Sequence, residues 1–170
     1  MEKNGIWDII EIYNTKGEIC MEHIWGIMDA NDFVMAMMEH LEEKTQYGED
    51  MSVLSAEERI FYITQIFEME VNNGGVSQFF YNESGMFAGE LVNAFNEIGA
   101  KVTAGICQEA INAFGREIPE DREERQDMLD ELEDEISEIL EDCDSKFYNY
   151  EDNLSELNYN YVIKNRLSFT

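Results

Sequence analysis

Residues 55–75, SAEERIFYITQIFEMEVNNGG, decide the fold. Ser55 followed three residues later by Glu58 has the form of a capping box: the hydroxyl accepts from the Glu58 backbone N–H, and the carboxylate reaches back to that of Ser55. Ile60, Ile63, Phe67 and Val71 then keep to spacings of three and four, the period of one buried helical face. Asn72-Asn73-Gly74-Gly75 supplies a glycine able to take the left-handed conformation that closes a helix. A long amphipathic helix runs from the serine to the glycines.

The same period continues on both sides. Downstream, Val76–Tyr81 reads as a short helix before Asn82-Glu83-Ser84-Gly85. Phe87, Leu91, Ala94, Phe95 and Ile98 form a stripe ending at Gly99, and Val102, Ile106, Ala110, Ile111 and Phe114 form another ending near Gly115. Pro119 stands near the first turn of the next helix. Leu129, Leu132, Ile136, Ile139 and Cys143 alternate spacings of three and four without a slip, which predicts one helix across 120–144. A last amphipathic stretch from Leu154 through Leu157 and Tyr161 to Leu167 is expected to pack back on the body.

Upstream, Ile6, Ile10 and Tyr13, then Ile24, Ile27 and Met28, predict two short helices broken at Asn14-Thr15-Lys16-Gly17. Asp29 or Asn31 caps a third, with Val34, Met37, Met38 and Leu41 inward and an end near Tyr47-Gly48. The chain holds 1 Pro and 11 Gly in 170 residues, too little turn punctuation for a many-stranded sandwich or barrel. The expectation is an all-α fold, one domain over 1–170 with roughly seven to nine helices.

Charge narrows the function. Against 11 Lys+Arg stand 38 Asp+Glu, a formal net charge of −27, while hydrophobic residues still make up 44%. The chain therefore keeps the apolar content of a folded protein. It is repelled by nucleic-acid backbones and anionic membranes and attracted to basic partners. The 3 Cys, at 20, 107 and 143, are an odd number without a CxxC pair, arguing against a disulfide framework or closed zinc site. With no signal-like apolar run and no membrane-length segment, a reducing cytoplasm is the expected location.

The acidity is densest at 120–144, where 14 Asp+Glu accompany only Arg122 and Arg125. With the predicted seam buried, the opposite face presents Asp127, Asp130, Glu131, Asp134, Glu138 and Glu141. As one straight helix this segment carries a carboxylate about every 2.6 Å of axis, against about 1.7 Å per charge in duplex DNA. Such a face can offer carboxylates to the Arg and Lys that a DNA-binding protein turns toward phosphates. A solvated face kept acidic for solubility reads from the same charges. Against that stands the cost of like charges at i,i+4, as in Asp127 with Glu131, Asp130 with Asp134 and Glu131 with Glu135, which alternating signs would avoid.

In the second candidate segment, 72–85, NNGGVSQFFYNESG, Gln78 and Asn82 sit four apart on one helical face with Phe79 and Phe80 turned inward. Asn72, Asn73, Gly74, Gly75, Gln78 and Asn82 read as a structural corner, with side-chain amides bonded to free backbone groups. This block, behind a helix opening with Ser55 and Glu58-Arg59 and before the Ile98-Gly99-Ala100 helix end, resembles the bacterial DNA-mimic protein family. These are small acidic helical proteins once known only as a domain of unknown function. The likeness runs from about Leu54 to Ala113, with a looser echo at Tyr161-Val162-Ile163 and a family-like region reaching to about 168. It implies an all-helical, dimeric protein whose surface carboxylates imitate DNA phosphates and occupy the DNA-binding face of a helix-turn-helix transcription factor.

Catalytic constellations are missing from the sequence. His23 and His40 lack a Glu-x-x-His partner, Asp142-Cys143-Asp144-Ser145-Lys146 has Phe147 where a calcium loop needs glycine, and Cys107 lies on a predicted helix without a nearby base. The sequence reads as a non-enzyme without cofactor or metal. Its expected partner is a basic DNA-binding protein, most simply a transcription factor, and not nucleic acid or membrane. An immunity or antitoxin-like protein that neutralises a basic nuclease or toxin is the alternative.

Overall fold

The computed structural model describes residues 21–131 and 134–170, and the described residues form helices and no strands. The readings at Ile6, Ile10, Tyr13 and Leu132 lie outside them. In chain order the helices are α1 (Met21–Ile24), α2 (Ala30–Lys44), α3 (Ala56–Gly74), α4 (Val76–Tyr81), α5 (Ala88–Ile98), α6 (Lys101–Ala113), α7 (Arg122–Asp130), α8 (Asp134–Phe147) and α9 (Leu154–Lys164). Short 3-10 turns precede α3, precede α5 and follow α9.

The sequence that predicts α3 also shows how it is anchored. Ser55 Oγ accepts from Glu58 N at 3.0 Å and Glu58 Oε2 from Ser55 N at 2.8 Å, so both arms of the capping box are made. Glu58 is buried, and Lys44 Nζ from the end of α2 donates to its two oxygens at 2.7 and 2.9 Å. The cap thus also ties α2 to α3. Removing one partner of such a buried pair typically costs about 3–5 kcal/mol, because the other charge stays stranded.

Phe67, midway along α3, is the centre of the core. Its ring meets Phe79 of α4, Phe95 of α5 and Phe147 of α8 edge-on, at centroid distances of 5.0, 5.4 and 5.7 Å. Edge-to-face geometry sets positive ring edges against negative faces and adds about 0.5–1.5 kcal/mol per pair to the burial itself. α5 and α6 pack as neighbours after Gly99, which takes φ +90° at the close of α5. α8 lies on α6 and α4, α7 on α4, and α9 on α2 and α3. Asp29, rather than Asn31, caps α2 by accepting from Asn31 N and Asp32 N, each at 3.0 Å.

Three inward assignments are corrected. Val102 is exposed, because Asp152 Oδ2 accepts from Thr103 N at 2.8 Å and Thr103 Oγ1 at 3.0 Å, capping α6 and rotating Thr103 inward. Leu167 is 97% exposed, since α9 ends at Lys164 and the following turn breaks the helical phase. Met28 is exposed beyond the end of α1, while Ile24 is fully buried. α2 stops at Lys44, short of the expected Tyr47-Gly48.

Candidate functional site

The corner between α3 and α4 is built on missing Cβ atoms. Gly75 takes φ +86°, a conformation that side chains disfavour. A Cβ there would stand 2.5 Å from Asp144 Oδ2 of α8. With the space open, Asp144 Oδ1 accepts from Val76 N at 2.6 Å and binds α8 to the first turn of α4. Burial pushes the Asp144 carboxyl above its ordinary range, and the Val76 N–H opposes that rise. A Cβ on Gly74 would collide with the Gln78 amide.

That amide is committed to a carboxylate. Gln78 Nε2 and Asn82 Nδ2 donate to Glu70 Oε2 at 2.6 and 2.9 Å, and Ser84 Oγ donates to Glu70 Oε1 at 3.0 Å. The expectation that these amides serve free backbone groups is therefore corrected: the α4 register carries them back over the last turn of α3, where Glu70 collects them. Asn72 Nδ2 donates to Tyr150 OH at 2.6 Å, and Asn73 is exposed. Phe79 and Phe80 are fully buried, as the pattern predicts.

Arg125 joins this corner to the acidic segment. Its side chain is fully buried, with Nε donating to Phe80 O at 2.5 Å, Nη2 to Asn82 O at 2.7 Å, and Nη1 to Pro119 O and Glu120 O, each at 2.9 Å. All these acceptors are main-chain carbonyls, and no carboxylate among the described residues forms an ion pair with it. Burial lowers its pKa from the usual arginine value, but the five-donor fork matches converging carbonyls that nothing else would satisfy. Gly85 makes room, since a Cβ there would meet Arg125 Nε and Phe80 O.

The acidic segment is not the single helix that spacing predicts. α7 ends at Asp130 and α8 begins at Asp134, each with its own buried contacts: Arg125 and Met128 in α7, and Leu140, Cys143 and Phe147 in α8. The predicted seam residues Leu129, Ile136 and Ile139 are half-buried. The helices dock on different neighbours, and that tertiary demand overrides a continuous period. The Asp130–Asp134 pair therefore spans two helices and the Glu131–Glu135 pair joins the residue after α7 to α8, so carboxylates spaced along one straight axis give way to two groups.

All six predicted carboxylates are nonetheless exposed: Asp127 and Asp130 on α7, Glu131 just beyond it, and Asp134, Glu138 and Glu141 on α8. None of them forms an ion pair among the described residues. Of the nearby cations, Arg122 pairs with Glu83 at 3.1 Å and Lys146 with Glu109 and Asp142, each at 2.7 Å, while Arg116 shares a shallow cleft with Asp127 and Glu131 without forming an ion pair among the described residues. A cleft of about 530 Å³ brings the two candidate segments together, lined by Asn73, Gln78 and Asn82 on one side and Asp130 and Ser137 on the other. An anionic face whose carboxylates form no ion pair among the described residues offers charge-assisted hydrogen bonds to incoming Arg and Lys.

Glu70, Ser84, Arg125 and Asp144 are the site residues that sequence reasoning misses. Arg125 carries a faint signal as one of two cations in 120–144, whereas nothing in the pattern marks Glu70 among 38 acids. Neither described thiol is poised as a nucleophile: burial pushes Cys107 well above its ordinary value and Cys143 up to about 11. Among the described residues, no three His, Cys, Asp or Glu side chains are grouped to hold a metal ion, and no helix is long and apolar enough to cross a membrane.

No curated protein and no solved structure matches the chain. The family model described as DMP19-like protein matches residues 52–165, from just before the capping box of α3 to the end of α9, and takes in the Gly-Gly corner, the Glu70 cluster, Arg125 and both acidic helices. On that match, which covers more than half of its length, the chain belongs to the DMP19-like protein family.

Proposed function

We propose that this chain is a non-catalytic DNA mimic that binds the DNA-reading face of a basic protein, a helix-turn-helix transcription regulator, and competes with DNA for it. The observation that carries the reading is the two groups of exposed carboxylates, six in all, on and just beyond α7 and on α8, none of which forms an ion pair among the described residues. Membership of the DMP19-like family supports it. In this mechanism the carboxylates stand in for phosphates, and the buried ties through Arg125 and Asp144 hold the two helices against the corner, so the charges are arranged before the partner arrives. Electrostatic steering speeds the encounter and makes it sensitive to salt. A homodimer, implied by the resemblance, would double the array, and sedimentation reads it directly.

The test is capture from lysate at low salt with duplex DNA as competitor. Wild-type protein is expected to retain a DNA-binding protein that DNA displaces and that elutes early in a salt ramp. The variant Asp127→Lys/Glu131→Lys/Glu138→Lys/Glu141→Lys, with helicity checked by circular dichroism, is expected to lose it. Unchanged retention by that variant rejects the assignment. Salt-resistant capture of a nuclease or toxin, insensitive to DNA, would establish the immunity reading instead.

A further inference from the structure

Between the end of α2 and the Glu70 cluster lies a second cleft, of about 550 Å³. Gln46, Tyr47 and Gly48, at φ +54°, +59° and +91°, carry the chain out of α2 in three consecutive left-handed steps. Two of these are not glycine, a conformation L side chains adopt reluctantly. The run leaves Tyr47 at the cleft, 77% exposed. Met51, Tyr62, Ile66, Met86 and Phe87 supply the remaining apolar lining.

The polar lining has acceptors to spare. Glu70 takes three neutral donors and no cation, and Glu49 forms no ion pair among the described residues. Glu83 holds Arg122, the cleft's own cation. Tyr62 is only 6% exposed, and its hydroxyl makes no hydrogen bond among the described residues; since no buried polar atom there lacks a partner, that oxygen is the part of the side chain that reaches solvent. That hydroxyl lies beside Gly48, where an added Cβ would stand 3.6 Å away. A nearly buried phenol with an open hydroxyl, unneutralised carboxylates and an unstacked tyrosine ring complement a flat cation that has many N–H donors and no acceptor. Asn82 lines both this cleft and the one bordered by Asp130, so the two adjoin.

We propose that this cleft seats an arginine side chain of the basic partner, its guanidinium against Glu49, Glu70 and the Tyr62 hydroxyl and its plane on Tyr47. The source of the arginine rests on the DNA-mimic reading; the chemistry of the cleft does not. An arginine in a pocket would fix the register of a partner that the open acidic face attracts over a broad area.

Methionine-methyl NMR tests the seat, because Met51 and Met86 line the cleft while Met37 and Met38 are buried in the core. Titration with N-acetyl-arginine amide is expected to shift Met51 and Met86 saturably and leave Met37 and Met38 still. Binding is expected to weaken about tenfold when N-acetyl-norleucine amide replaces the arginine probe, and equally when the arginine probe meets the variant Tyr47→Asn/Glu49→Gln, which keeps a residue tolerant of the left-handed turn. Equal response to norleucine, or shifts spread over all methyls, overturns the proposal. The same variant in the lysate capture separates the two readings. Full retention of a DNA-displaceable partner overturns the arginine seat and leaves the mimic standing. Arginine binding without any DNA-displaceable partner overturns the assignment to a partner together with the mimic.

Discussion

At the residue scale, Arg125 shows how one charge is kept in a core. Its partners are carbonyls, those of Phe80 and Asn82 left open at the end of α4 and those of Pro119 and Glu120 in the loop before α7, so the guanidinium closes several main-chain vacancies at once. Arg125→Met keeps the volume and removes every donor; it is expected to cost about 3–5 kcal/mol in urea unfolding, from the stranded acceptors at Phe80 and Asn82 and the loosened corner. Titration belongs to this scale too. Burial raises the carboxyls of Glu42, Glu68 and Asp144, while Arg59 lowers that of Glu90. A raised folded-state pKa gives stability that is complete below the unfolded value and lost as pH rises through the folded one; Glu90 acts in the opposite direction. With three groups against one, the melting temperature is expected to be higher near pH ~5 than near pH ~8. Glu68→Gln should narrow that gap by raising the value at the alkaline end.

Among the elements, α3 was legible because local and tertiary signals agree: a capping box opens it, one apolar ladder fills its inner face, and a left-handed glycine ends it. The acidic segment was legible in composition and exposure but not in geometry. Leu129, Ile136 and Ile139 satisfy a helical period, yet which neighbour each helix docks on is a three-dimensional fact that periodicity does not encode. The Glu70 cluster and Arg125 escaped for a related reason: charged residues are read as surface, and their burial depends on partners distant in sequence, from Asn82 Nδ2 on Glu70 to Phe80 O on Arg125. The charge of α8 yields a prediction that separates stability from binding. Glu138 lies four residues from both Asp134 and Asp142. Glu138→Lys replaces two repulsions by two attractions and is expected to stabilise the fold by about 0.5–1 kcal/mol at low salt and by almost nothing at 1 M NaCl. The same change should weaken partner capture.

For the whole molecule, a net charge of −27 sets self-repulsion against one buried aromatic network, and these two act at different places. The repulsion is concentrated on α7 and α8, whereas the network converges on Phe67, whose ring touches a ring from each of three other helices. No segment among these four can leave without breaking the junction, while α7 buries only Arg125 and Met128. Rank in time comes out of that arrangement. Amide hydrogens of residues 61–71 are expected to exchange with deuterium only when the entire chain unfolds, and those of α7 through small local openings orders of magnitude sooner. Mass spectrometry of deuterium uptake reads the order, and equal protection in the two helices would contradict it. The protein would then keep a slow clock at its centre and a fast one beneath its charged surface.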